Sequence, residues 1–402
     1  MRPSTRCVQL GRGNDAYGAI VPPIYQTATF EQPTATEFGE FDYTRSGNPT
    51  RTLLEQQLAD LEDGAHACAF ASGMAALTSL TRIVRPGEEI IAGDDLYGGT
   101  VRLLDQLTAR LNIGVSYVDT TNETEVRRAA GDRTRLFLIE TPSNPLFRIT
   151  DIRKLSSIAK ETGAYLAVDN SMLSPVFQQP LNLGADVVIH SATKFLCGHS
   201  DVTAGALITN DGALHKQFSF QQNAEGAGLS PFESWLLLRG LKTLALRVER
   251  QNNSAEKIAR FLQTRPGVGH VFYPGLATHP GHEVHRQQAD GNGAVVCFTT
   301  GDETLSAQIV ESTRLFKVAV SFGSVGSTIS LPCRMSHASI PGALRDRLAP
   351  PSDLVRISVG IEDVDDLIND LSHAFKRESS HKKAQKAQNE EEHTETQNKI
   401  LV

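Results

Sequence analysis

Residues 185–201 read ADVVIHSATKFLCGHSD, with Lys194 near their centre. Asp186 to Ile189 form an apolar, β-branched run, the pattern of a strand buried in a parallel sheet. The run stops at His190, and Ser191 and Thr193 then flank the lysine with hydroxyls. Strand ends and the loops after them are where chemistry is usually carried. Gly198 and Gly205 imply tight backbone nearby. A lysine amine held among small residues can form a Schiff base with a carbonyl group. A solvated lysine at a strand end fits the same residues equally well.

A second group narrows the chemistry. Asp169 ends the apolar run AYLAVD. A buried carboxylate there could pair with the protonated ring nitrogen of pyridoxal 5'-phosphate (PLP), whose ring draws electrons from a substrate Cα. An aspartate at a strand end can also simply cap a turn. Ser72 and Gly73 lie between a short strand at 67–70 and an apolar helix. That order presents backbone N–H groups to a phosphate, although serine and glycine also serve as ordinary helix caps. Ser191 and Thr193 are further candidate phosphate ligands. Tyr97, in GDDLYGGT, could stack on a ring or pack in a core.

The elements that must hold these residues alternate. Strands are expected at 67–70, 89–92, 115–118, 136–140, 165–168 and 186–189, and helices at 48–64, 101–110 and 152–162. Alternation predicts an α/β fold with a large, doubly wound, mostly parallel sheet. Sites in such sheets sit at the carboxyl ends of the strands. That rule selects Ser72-Gly73, Asp94 to Tyr97, Glu140 to Asn144, Asp169-Asn170 and Ser191 to Lys194. From about Trp235 a long helical pattern begins, with a kink expected near Gly240. It leads into a smaller C-terminal α+β domain. Strands are expected there near 293–299 and 318–322, a helix near 304–312, and a last strand and helix with Asp363 as cap. The expected divisions are an extended N-terminal arm over 1–43, a sheet domain over 44–235, the smaller domain over 236–375, and a charged, disordered tail over 376–402.

Composition sets outer bounds. A chain of 402 residues, 40% hydrophobic and 21% charged, is an ordinary globular protein. Its net charge of -7 gives no general attraction to nucleic acid or anionic membrane. No apolar run reaches the roughly 18 residues of a membrane span. The five cysteines are scattered without a C-x-x-C pair, which suits reduced thiols in a cytoplasmic compartment. The N-terminus is too short and polar for a secretory signal, and a plastid location is the alternative if a longer precursor is processed. His279, His282 and His285 have helical spacing for a metal, but a solvated loop and helix is the simpler reading, and no metal is expected. No G-x-G-x-x-G follows the first strand, which argues against a nicotinamide enzyme.

Six stretches together resemble one family. They are DYTRSGNPTR (42–51), FASGMAAL (70–77), AGDDLYGGT (92–100), VDNSM (168–172), SATKFLCGHSDVTAG (191–205) and VRISVGIEDVDDLI (355–368). They resemble the Cys/Met-metabolism PLP enzymes, over about residues 5–375. The stretches 25–35, 222–243 and 319–341 resemble its plant-type, β-eliminating branch.

The resemblance implies PLP fold type I, the aspartate aminotransferase-like architecture, and a homotetramer built as a dimer of dimers. It implies β-elimination of L-cystathionine to L-homocysteine, pyruvate and ammonia in methionine biosynthesis. γ-Elimination or γ-replacement is the alternative, and a noncatalytic PLP-binding protein is a further one from another class. Lys194 would hold the cofactor covalently and then shuttle protons. Asp169 would face the ring nitrogen, and Tyr97 would stack on the ring. Gly73, Met74, Ser191 and Thr193 would bind the phosphate. Tyr43 and Arg45 would reach the phosphate of a neighbouring subunit. Arg356 would grip the substrate α-carboxylate, aided by Asn144 and Ser327, and Arg102 would contact substrate. Family members with γ-chemistry often carry glutamate where this chain has Gly326.

Overall fold

The computed structural model describes residues 1–9, 17–338, 340 and 342–376. The tail expected over 376–402 therefore lies outside the described residues from position 377 onward. The larger sheet has seven strands: β1 (His66–Phe70), β2 (Glu89–Gly93), β3 (Gly114–Val118), β4 (Thr134–Glu140), β5 (Tyr165–Asp169), β6 (Val187–His190) and β7 (Gly205–Thr209). Their order is β1-β7-β6-β5-β4-β2-β3. Neighbours from β6 through β3 run parallel, whereas β7 is antiparallel to both β1 and β6. The one strand the alternation does not disclose is β7, because GALIT follows β6 without an intervening helix.

The helices are α1 (Pro3–Val8), α2 (Pro49–Leu61), α3 (Gly73–Thr81), α4 (Gly98–Leu111), α5 (Glu123–Ala129), α6 (Ile152–Thr162), α7 (Ser174–Phe177), α8 (Gly212–Ala224), α9 (Pro231–Leu241) and α10 (Leu244–Gln263), followed by α11 (His282–Gln288), α12 (Glu303–Ser312), where a helix near 304–312 was expected, and α13 (Gly342–Leu348). The N-terminal arm is thus not wholly extended: α1 buries Cys7 and packs on α10 and α2. Over residues 17–43 the arm is irregular apart from a bridge between Thr29 and Tyr43.

Both faces of the sheet are covered. Ile90, Leu136, Leu138 and Ala167 pack against the α3 and α4 side chains Leu77, Leu80 and Leu104. Ile91, Phe137, Ile139 and Leu166 pack against Ile152, Leu155 and Ile158 of α6. Strands buried on both faces read as continuous apolar runs, which is why they were visible in the sequence.

The smaller sheet has the order β10-β11-β12-β9-β8, with β8 (His270–Phe272), β9 (Val295–Thr299), β10 (Lys317–Val318), β11 (Thr328–Ser330) and β12 (Val355–Ser358). The long helical pattern is broken into α9 and α10 just after Gly240. A Cβ at Gly240 would lie 2.4 Å from the Cys197 carbonyl oxygen, so this close approach brings α9 onto the turn that follows Lys194. α10 then serves two cores: Leu244 and Val248 pack in the cluster beneath the larger sheet, and Ile258 and Leu262 in that of the smaller one. The final helix covers 364–376, and Asp363 caps it by accepting from Asp365 N at 2.9 Å.

A strand over 318–322 does not form. β10 stops at Val318, and Ser321 adopts φ 81. The chain turns there onto the Lys194 backbone: a Cβ at Gly323, itself at φ 88, would stand 2.6 Å from Phe195 N. The alternating residues of KVAVSF have strand character, and the approach to Lys194 overrides it.

Candidate active site

β4, β5 and β6 end side by side. Glu140 is in register with Asp169, and Asp169 with Ile189, one residue before His190. The turn after β6 then carries Ser191, Thr193 and Lys194. These ends open on a cavity of about 420 Å³. Its floor includes Glu140, Asp169, Ser191, Thr193 and Lys194; α3 contributes Ser72, Gly73 and Met74; Tyr97, Asn144 and Arg356 line it as well.

At one side the start of α3 faces the cavity. The first N–H groups of a helix have no intrahelical acceptors and attract anions. Ser72 Oγ accepts from Ala75 N at 3.0 Å, which fixes the first turn. Neighbouring backbones pack closely here. A Cβ at Gly205 would lie 2.2 Å from Ser72 O, and one at Gly73 would lie 3.0 Å from Ser191 Cβ. The two glycines let β7, α3 and the Ser191 turn converge. The Thr193 hydroxyl donates to Ala204 O at 3.1 Å and accepts from Ala204 N at 2.9 Å, so it also pins this turn to β7.

Asp169 Oδ1 accepts from Ser171 N at 2.9 Å, and Ser171 Oγ accepts from Ser191 N at 2.7 Å. These bonds aim the carboxyl into the cavity. Burial pushes the Asp169 acid upward, and the Ser171 hydrogen bonds, His190 and Lys194 oppose the rise. A cationic ring nitrogen brought against it would favour the charged form.

Lys194 Nζ donates to Ser321 Oγ at 2.5 Å and stands 5.0 Å from the centre of the Phe322 ring. Burial, and then the positive charge of Arg356, lower this amine to about 8, against the pull of Asp169. Attack on a carbonyl needs the neutral amine. Capture of PLP by the cofactor-free protein should therefore accelerate by about tenfold per pH unit below that midpoint and level off above it. Stopped-flow absorbance between about pH 6 and 10 would show this, and a flat rate would contradict the lowered amine.

Arg356, 2% exposed, projects from β12. It donates to Asn144 Oδ1 at 2.8 Å and to Ser321 O at 3.2 Å. Among the described residues no carboxylate makes an ion pair with it. A buried guanidinium facing a cavity without an acid partner is suited to an incoming carboxylate. The loop that carries Asn144 is itself held from below. Buried Asp95, raised to about 6 mainly by desolvation, accepts from Ser143 Oγ and from Leu146 N.

Tyr97 is 40% exposed, and its ring meets His337 edge-on at 6.5 Å between centroids. A Cβ at Gly99 would lie 2.3 Å from that ring, so Tyr97 leans over the start of α4 only because Gly99 has no side chain.

Two expected residues lie elsewhere. Ser327 does not line the cavity: its hydroxyl donates to Glu362 Oε2 at 2.9 Å and accepts from Gly360 N at 2.8 Å. Arg102 is on the exposed side of α4 and is not among the lining residues. Tyr43 and Arg45 are also outside this cavity; Arg45 donates to Asn223 O at 2.9 Å. Ser171, Ser321 and Phe322 were not singled out in the sequence, and Glu140 was marked only as part of a strand end. The strand-end rule could have found Ser171 and Glu140, but only the turn at Ser321 brings in the other two.

The three histidines of HPGHEVH serve local structure. His279 Nδ1 accepts from Gly281 N, His282 Nδ1 contacts Pro274 O, and His285 Nε2 contacts Gly291 O. The five cysteines are free, and Cys7, Cys68, Cys197 and Cys297 are buried. Among the described residues no helix is long and apolar enough to cross a membrane.

The residues fit PLP. Lys194 would meet its carbonyl carbon, Asp169 its ring nitrogen, Tyr97 its ring face, and the α3 terminus with Ser191 its phosphate. This arrangement, at the carboxyl ends of a doubly wound sheet, defines a PLP enzyme of fold type I. The chain belongs to the Cys/Met metabolism PLP-dependent enzyme family, whose model matches residues 4–376. It is 54% identical over 373 residues to a protein of Arabidopsis thaliana named cystathionine beta-lyase, chloroplastic, covering 93% of this chain and 80% of that one. It is 45% identical over 363 residues to a cystathionine gamma-lyase of Bacillus subtilis, covering 90% of this chain and 96% of its relative. A crystal structure of cystathionine gamma synthase from Xanthomonas oryzae pv. oryzae in complex with cystathionine superposes with a TM-score of 0.92 at 40% identity, covering 94% of this chain and 99% of that one. The protein is a PLP-dependent enzyme.

Proposed function

We propose that this enzyme is a cystathionine β-lyase, which splits L-cystathionine into L-homocysteine, pyruvate and ammonia. The observation that carries the choice is Gly326. γ-Acting members of the family often carry a glutamate at this position. Here there is no side chain, and even a Cβ would meet nothing within 4 Å. The name of the Arabidopsis relative supports the same reading.

Arg356, steadied by Asn144, takes the substrate α-carboxylate in its planar fork. That contact orients the Cα–H toward Lys194. PLP, when bound, supplies a protonated ring that draws electrons from Cα and acidifies its hydrogen. Asp169 keeps the proton on the ring nitrogen. Lys194, with its amine neutral, would remove the Cα proton at Nζ. The Cβ–S bond then breaks, homocysteine leaves as thiolate, and the Lys194 ammonium is the nearby proton source for it. The remaining three-carbon fragment takes up water and yields pyruvate and ammonia.

Tyr43 and Arg45 complete the phosphate site of a neighbouring subunit, and the assembly is a homotetramer acting in methionine biosynthesis. The arm exposes Ile20, Val21, Phe38 and Tyr43, an apolar set suited to cover by another chain. Cytoplasm or plastid is the compartment this reading favours.

The product assay tests the reading. Holoenzyme given L-cystathionine should release pyruvate with homocysteine, and 2-oxobutyrate should be the minor oxoacid. Mostly 2-oxobutyrate with cysteine would replace the reading by a γ-lyase. The same preparation should scatter light as four chains, and a monomer mass would remove the role given to Tyr43 and Arg45.

A further inference from the structure

Glu140 has no part in the steps above, yet it is a buried carboxyl on the wall of the reaction cavity, 9% exposed. Its Oε1 accepts from the backbone N–H of Tyr97 at 2.9 Å. The backbone N–H of Asn144, on the same wall of the cavity, also favours the charged form of this carboxyl. One side chain at the end of β4 thus ties the Tyr97 loop to the loop that follows β4. The first carries the ring placed over the cofactor, and the second carries the amide that steadies Arg356. We propose that Glu140 is a positioning residue that sets the Tyr97 ring against the cofactor and the Asn144–Arg356 clamp against the substrate carboxylate. This inference rests on the roles given to Tyr97, Asn144 and Arg356 above.

The geometry also defines the form in which Glu140 acts. It stands in register with Asp169 on the adjacent strand, and both face one cavity. Two neighbouring buried carboxyls resist double ionisation. Burial and the charge of Asp169 both push Glu140 well upward, against the two backbone N–H groups. Asp169 has the cationic ring nitrogen as its partner, so Asp169 carries the charge and Glu140 remains an uncharged acceptor. The Glu140 carboxyl is then an anchor that does not compete for the ring proton.

The holoenzyme variants Glu140→Gln and Glu140→Ala separate these roles. Glutamine keeps an acceptor for the Tyr97 N–H and adds no charge. It should leave the PLP dissociation constant, the KM for cystathionine and the pH midpoint of the bound cofactor's visible absorbance near their parent values. Alanine removes the acceptor, and should weaken PLP binding and raise KM by about tenfold each. A Glu140→Gln midpoint that moves downward would show that a negative charge had been removed, and would overturn the uncharged form. Parent-like PLP affinity and KM in Glu140→Ala would overturn the positioning role. If the alanine variant does not fold, Glu140→Asp withdraws the acceptor by one methylene and should show the same two losses; parent-like values there would equally overturn the role. Tyr97→Ala and Asn144→Ala, measured beside them, keep the two levels apart. Unchanged PLP affinity in the first and unchanged KM in the second would refute the roles of Tyr97 and Asn144 themselves.

Discussion

Replacing Lys194 by alanine is expected to lower turnover of cystathionine by about 10²- to 10⁴-fold, the range set by removal of a positioned general base. Steady-state oxoacid release measures this directly. The amine is the only lysine among the residues lining the cavity, and it sits where burial and Arg356 lower it to about 8. A base near the working pH combines a useful neutral fraction with enough proton affinity to act at Cα. Two further observations separate lost chemistry from lost structure. The variant should still bind PLP reversibly through the α3 terminus, Ser191 and Asp169, and its absorbance should then be that of a free carbonyl. A small primary amine added to the buffer should restore part of the rate. Turnover within tenfold of the parent would remove Lys194 from the account.

Asp169→Asn should cost roughly 10- to 150-fold in turnover, the kinetic equivalent of losing a hydrogen bond between charged groups. Asparagine has nearly the same shape and can keep an acceptor for Ser171 N, so the fold around β5 should survive. What it lacks is the charge that holds a proton on the ring nitrogen. PLP affinity should fall as well, and far-ultraviolet circular dichroism should not change. A rate within threefold of the parent would mean that the ring nitrogen is not protonated through Asp169. The change at Glu140 provides a contrast one strand away: it removes a carboxyl from the same cavity without removing the working charge.

The helices and strands that place these groups could be read because β2, β4, β5 and β6 are buried on both faces and leave unbroken apolar runs. Helix α6 runs over Ile152–Thr162, as its spacing predicts, with Asp151 accepting from Lys154 N at its start. The strand-end rule then led to Ser72, Tyr97, Asp169 and Lys194 without any contact information. Its reach ended where the backbone departs from local preference. The run around 318–322 has strand character, but the turn at Ser321 carries Phe322 and the Ser321 hydroxyl onto Lys194. No residue-type pattern shows that turn, because its cause is a neighbour more than a hundred positions earlier.

Ser327 illustrates the same limit from the other side. The resemblance placed it near substrate, while its backbone N–H and hydroxyl both bond Glu362. Arg102 follows from helical phase: the buried side of α4 is taken by Val101, Leu104 and Leu107, which leaves position 102 outward. Glu140 was passed over for a different reason. A glutamate that ends an apolar strand looks like a solvated boundary residue until its bond from Tyr97 N–H and its neighbour Asp169 are seen together.

The chemistry at the end of β6 depends on one covalent attachment, and that can be measured without a substrate. Holoenzyme reduced with borohydride and digested should give one peptide carrying the reduced cofactor, and fragmentation should place it on Lys194 within SATKFLCGHSD. The visible absorbance of the bound cofactor should disappear in the same step. An adduct on another lysine, or full loss of the cofactor on denaturation after reduction, would contradict the placement of the chemistry at the end of β6.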